Sequence, residues 1–145
     1  MRLPANSLLT LALLATACGG SGTATSPSTT SSTPSNATER FDAILEPGAS
    51  AFYAFTVGTN GGTVSINFAS LSPLSRPGLL PTSMEIGYGV PAGEGCDLRK
   101  TVQTTPGLTS QLTDTLTTGT YCANIADVGK KLTEPANFTI RITHP

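Results

Sequence analysis

From residue 40 onward, apolar residues alternate with polar or small ones, and clusters of Gly, Pro and Asn separate the runs. A period of two puts every second side chain on one face of an extended chain, so the pattern predicts strands joined by turns. Phe41–Leu45 is the first strand, and Glu46-Pro47-Gly48 is a turn in which Pro presets φ and Gly accepts a positive φ. Ser50–Val57 follows, with Tyr53, Phe55 and Val57 on one face. Asn60-Gly61 is a hairpin signal. It predicts antiparallel pairing of Ser50–Val57 with Thr63–Ala69, whose Val64, Ile66 and Phe68 point inward. Ser70–Pro81 holds Pro73, Pro77 and Pro81 and is expected to be a long crossover between sheets, because proline donates nothing to a ladder.

The alternation resumes at Ser83–Val90, with Met84, Ile86, Tyr88 and Val90 on one face. Leu98–Thr105 is weakly patterned and polar, which places it at a sheet edge. Gln111–Leu116, Thr120–Asp127 (Tyr121, Ala123 and Ile125 inward) and Ala136–Thr143 (Phe138, Ile140 and Ile142 inward) are expected to form a meander. These eight short strands, with no amphipathic helical stretch among them, predict an all-β fold. The expected architecture is a two-sheet antiparallel β-sandwich, jelly-roll-like, over residues 40–145.

Before residue 40 the pattern differs. Met1–Ala17 has a basic start at Arg2 and an apolar run from Leu8 to Ala15. As a helix that run would span about 12 Å, far short of a ~30 Å bilayer core, so it reads as the apolar region of a secretory signal peptide, residues 1–17. The stretch Leu14-Ala15-Thr16-Ala17-Cys18 resembles the lipobox of bacterial lipoproteins. The resemblance implies that Cys18 receives the lipid and becomes the new N-terminus. It also implies attachment to the bacterial cell envelope, at the outer membrane or cell surface, by a lipid anchor. Residues 18–39 then form a Ser/Thr-rich linker that lacks the apolar surface to offset ordering entropy. Its 21 residues after Cys18 give a reach of about 25 Å. Its Ser, Thr and Pro suit O-glycosylation. Asn36-Ala37-Thr38 and Asn137-Phe138-Thr139 match the N-glycosylation sequon, which has little bearing in a bacterial lipoprotein.

Composition narrows the class. Charged residues are 12%, below the ~25% typical of soluble domains. Removal of Arg2 with the leader leaves seven Lys and Arg against nine Asp and Glu, a net charge of −2. There is no basic stripe, which argues against nucleic acid as a partner. The adjacent pairs Arg99-Lys100 and Lys130-Lys131 are small and read as solvated surface.

With Cys18 set aside, Cys96 and Cys122 remain. In an oxidising compartment two cysteines of a small β domain usually join, so a disulfide is expected, tying the 93–95 loop to the Tyr121 strand. Free thiols or a metal site are the rival readings; the metal reading suffers from the wide spacing and from the single His144. Catalysis by His144 is disfavoured by its place at a fraying strand end. Carboxylate pairs among Asp114, Asp127 and Glu134, or Glu94 and Asp97, read first as surface charges. Asp127 and Glu134 are the candidates for calcium, since hard oxygens suit that ion. Tyr88 and Tyr121 are the aromatics available for stacking on a sugar, although alternation places both in the core.

The residues Leu45-Glu-Pro-Gly-Ala-Ser50-Ala-Phe-Tyr53-Ala-Phe55-Thr-Val57 resemble the opening of bacterial pre-peptidase C-terminal domains. Gly119-Thr-Tyr121-Cys122-Ala-Asn-Ile125-Ala-Asp127 and Phe138-Thr-Ile-Arg-Ile142 resemble their closing strands. The resemblance covers roughly 41–143. It implies a non-catalytic accessory β-sandwich of exported proteins, here without a peptidase. The resulting expectation is a membrane-anchored binding or assembly module, not an enzyme, whose partner is an envelope protein or a glycan. A carbohydrate- or calcium-binding adhesion module is the alternative, and a hydrolase accessory or enzyme stands behind it.

Overall fold

A computed structural model describes residues 35–145. Cys18, the leader and most of the linker lie outside the described residues. Eight strands follow one another: β1 (Ala37–Leu45), β2 (Ser50–Val57), β3 (Gly62–Pro73), β4 (Met84–Ala92), β5 (Gly95–Thr104), β6 (Leu112–Leu116), β7 (Gly119–Ala126) and β8 (Ala136–His144). They form two antiparallel four-stranded sheets. Sheet I has the order β1-β8-β3-β6 and sheet II the order β2-β7-β4-β5. This is the expected β-sandwich, with the strand order of a jelly roll.

The core lies between the sheets. Ile66, Phe68, Leu71, Phe138, Ile140 and Ile142 come from sheet I, and Phe55, Val57, Met84, Ile86 and Ile125 from sheet II. Leu71 apart, these are the inward sets that alternation predicts. Val90 departs from the pattern and is exposed. The β4–β7 ladder ends at Gly89 opposite Cys122, so Val90 projects beyond the facing strand. Leu71 is the converse. It lies inside the proline-bearing stretch expected to be crossover, yet β3 runs on to Pro73 and buries it. A register shift between Phe68 and Ser70 keeps this second half of β3 paired with β8, and the crossover begins at Leu74.

Two pairings differ from expectation. The Asn60-Gly61 turn forms, with Gly61 N–H donating to the Gly58 carbonyl at 3.0 Å. Its φ of 62° is left-handed, and a Cβ there would stand 2.6 Å from the Leu116 carbonyl. But β2 and β3 do not pair. The turn carries the chain from sheet II to sheet I, where β2 pairs β7 and β3 pairs β6 and β8. Likewise β6, β7 and β8 form no meander, because β7 lies in sheet II between two strands of sheet I. The physical reason is common to both. Two strands with one apolar face each bury those faces equally well side by side or face to face across the core. Among the described residues, only the β4–β5 connection, through Gly93-Glu94, is a hairpin within one sheet.

The first strand starts earlier than the change in alternation suggests. Ala37, Thr38 and Glu39, read as linker, pair with His144, Thr143 and Ile142. Polar residues form strand here because β8 supplies the ladder and His144 supplies a partner for Glu39.

Candidate functional site

Each group singled out within residues 35–145 has a definite place. Cys96 and Cys122 are joined, with Cα atoms 5.9 Å apart. They lie on β5 and β7, with β4 between. In a flat sheet, strands flanking a third stand about 9.5 Å apart. The gap closes because β5 curls over the outer face of β4. A Cβ on Gly89 would stand 2.0 Å from the Asp97 carbonyl oxygen, and one on Gly87 would stand 2.7 Å from that of Lys100. Only glycine leaves room for this approach. Cys122 is fully buried although it points away from the core.

Asp127 directly follows β7 and is 3% exposed. Its Oδ2 accepts the N–H groups of Gly48 and Leu132, at 2.8 and 3.1 Å, and its Oδ1 accepts that of Lys131 at 2.8 Å. Burial pushes its carboxyl up, but the three backbone donors outweigh that and hold it below the ordinary range. The carboxylate thus ties the β1–β2 turn to the β7–β8 loop. Both oxygens face donors, which is the wrong company for a cation. Glu134 is not among its partners, and no cluster of three or more metal-ligating side chains occurs among the described residues.

His144 is held in the ladder, opposite Ala37. It lies within β8, 5% exposed, with its ring 5.4 Å from that of Phe55. Its Nε2 lies 2.8 Å from Glu39 Oε1 and its Nδ1 lies 3.2 Å from the Pro145 carbonyl. The Tyr53 hydroxyl donates to Glu39 Oε2 at 2.6 Å, which, against the opposing effect of burial and with help from His144, holds Glu39 below the usual carboxylate range. A hydrolytic triad directs a ring nitrogen at a hydroxyl nucleophile. Here both nitrogens are directed at oxygen acceptors, so the group joins β1, β2 and β8.

Asp114 lies on β6, at the opposite sandwich edge. It accepts the Tyr88 hydroxyl at 2.8 Å and the Lys100 ammonium at 3.0 Å. Lys100 is the first cause that holds Asp114 below its ordinary range. Burial, then the bond to Asp114, pushes the Tyr88 phenol up to about 12, so it stays a donor. This cluster links β4 and β5 of sheet II to β6 of sheet I. Tyr121 is half-buried and donates to the Thr117 carbonyl at 3.1 Å. Asp97 pairs with Arg99 at the surface, and Glu94 is exposed in the β4–β5 turn. Lys131 donates to the Ser83 carbonyl and to Gln103 Oε1, while Lys130 is exposed.

One structural device left no sequence signal. Gln111 places its amide beside Phe68 and mimics a strand: Phe68 N–H donates to Gln111 Oε1 at 2.8 Å, and Gln111 Nε2 donates to the Phe68 carbonyl at 3.3 Å.

The outer face of sheet I carries a further set of polar and charged groups. Its outward residues follow from the registers. Thr38, Thr143, Ser65 and Thr113 form one row across all four strands, with hydroxyl contacts of 3.0 Å (Thr38–Thr143) and 3.4 Å (Ser65–Thr113). Arg40 and Arg141 stand opposite each other in the next row. Asp42 pairs with Arg40 and accepts the Thr139 hydroxyl, beside a shallow depression that reaches Ile44 and Asn137. Arg40 is the first cause that holds Asp42 below the usual range.

Compared with protein families and with curated proteins, the chain matches none.

Proposed function

We propose that this chain is a bacterial lipoprotein whose leader, residues 1–17, is removed, whose Cys18 carries the lipid, and whose β-sandwich serves outside the cell as a non-catalytic binding or assembly module. The observation that carries the reading is the division of the three cysteines. Cys96 and Cys122 are joined to each other. Cys18, behind Ala15 and Ala17 and an apolar run, is the one thiol left for acylation. Disulfides persist in oxidising compartments, which agrees with export. Two or three acyl chains, at ~0.8 kcal/mol per buried CH₂, make such an anchor effectively permanent.

The module reading draws support from where the titratable groups are engaged. Asp127 holds backbone, Glu39 joins His144 to Tyr53, and Asp114 joins Tyr88 to Lys100. Each ties strands or loops together. The resemblance to pre-peptidase C-terminal domains points the same way, to an accessory sandwich. The polar outer face of sheet I favours, within this reading, a glycan as the partner over an envelope protein.

The test is intact mass of the mature protein from membranes, together with fractionation of Cys18→Ser. The expected result is a chain beginning at acylated Cys18, two hydrogens lighter for the disulfide, with the variant released to the soluble fraction. Continued tight membrane association of Cys18→Ser would refute the anchor.

A further inference from the structure

Arg40 and Arg141 are exposed and occupy directly opposed positions on β1 and β8. Like charges so placed destabilise a sheet. A single carboxylate, Asp42, stands by; it pairs with Arg40, and its other oxygen is engaged by Thr139. Arg141 has no ion-pair partner among the described residues. The face is therefore locally cationic on a domain whose remaining charge is negative. Around the two guanidiniums nearly every outward side chain is an uncharged hydroxyl or amide. The row Thr38–Thr143–Ser65–Thr113 runs beside them, two residues along the strands, or about 7 Å away. Ile44 is the large apolar side chain among the outward strand residues, and the exposed Leu108 stands in the loop whose Gly107 and Thr109 carbonyls accept the Asn67 amide.

We propose that the outer face of sheet I binds a linear polysaccharide bearing carboxylates. The inference rests on reading the sandwich as a binding module and names its ligand. Arg40 and Arg141 take the acid groups, since a guanidinium fork matches a carboxylate in geometry and charge. The row of hydroxyls, each both donor and acceptor, takes the sugar hydroxyls. The ligand's charge relieves the Arg40–Arg141 repulsion, which gives the unliganded pair its reason. An anionic membrane is the poorer fit, because membrane-surface segments combine clustered cations with an apolar face. Nucleic acid binding rests on many more phosphate contacts than two arginines supply.

The test is affinity electrophoresis of the mature full-length protein in detergent, through gels containing polygalacturonate or, as the neutral control, dextran. The polyuronate is expected to retard the protein, less so as salt rises, and dextran is not. Arg141→Ala is expected to weaken retention about tenfold, the loss of one charge-assisted contact. Thr143→Val is expected to weaken it about threefold, and Arg99→Ala, off this face, to leave it unchanged. Absence of retardation by polyuronate, equal retardation by dextran, or full retention by Arg141→Ala would each overturn the proposal. So would anionic vesicles that bind as strongly with the same dependence on Arg141. Unchanged melting temperatures confirm that the variants are folded. If polyuronate fails while Cys18→Ser still leaves the membrane, the ligand is wrong and the anchored-module reading stands.

Discussion

On the outside of sheet I, side chains of every strand reach solvent and touch one another through hydroxyls and one ion pair. On the outside of sheet II, β5 curls over β4, glycines replace side chains, and a disulfide is sunk beneath the curl. The residues there are Phe52 beside Asn124 and Gly87, and Ala54 beside Cys122 and Gly89. The strands of both sheets alternate in the same way toward the core. Their outer faces diverge because one sheet keeps its backbone open to side chains and the other folds its own edge over them. The second face is fixed by covalent and steric constraint, and the first is free to be specified by what it meets.

That contrast gives an order of sensitivity. Replacing both Cys96 and Cys122 by Ala is expected to cost about 3–4 kcal/mol, read by urea unfolding of the oxidised wild type beside the variant. An unchanged midpoint would mean the curl holds itself. Gly89→Ala comes next, at about 3 kcal/mol, because backbone on β5 must move to admit the methyl group. An equal effect from Ser65→Ala on sheet I would erase the distinction between the faces.

Asp127 provides a measure independent of either face. Asp127→Ala leaves three backbone donors without their acceptor and is expected to cost about 2 kcal/mol at pH 7. The carboxyl sits below its ordinary 3.8, so its contribution is complete above the unfolded value and is lost as pH falls through the folded one. Wild-type stability should therefore drop as pH falls below about 4, and Asp127→Ala should drop less steeply over the same window. Identical slopes would assign the acid sensitivity to Glu39, Asp42 and Asp114, whose carboxyls are held low as well.

The smallest effect is the most discriminating. Arg141→Thr removes a like-charge opposition and is expected to leave stability within about 0.5 kcal/mol of wild type, on the favourable side. A melting scan that shows a clear loss would mean that Arg141 serves the fold instead of a ligand.

The strands and the inward residues were legible because alternation is a local property. Phe55, Ile66, Ile86, Ile125 and Ile140 each follow from their own neighbours. The disulfide was legible from the cysteine count. Pairing was not, since Val57 and Val64 bury equally well in one hairpin or across the core. Neither was the part played by Glu39, whose partners, Tyr53 and His144, come from β2 and β8. Gly87 and Gly89, within a run of apolar alternation, do carry a signal: two glycines inside one strand mark close backbone approach. The Arg40–Arg141 pairing requires the register of β1 on β8, which no single strand encodes.

Strand β8 lies between β1 and β3, so the ladders of both wait on residues 136–144. Until those residues are in place β1 has no neighbour in the sheet and β3 has only β6, so sheet I cannot close. High contact order slows folding in any case. Here the Thr38–Thr143 contact joins positions 105 apart, so sheet I closes only after nearly the whole strand region has been gathered.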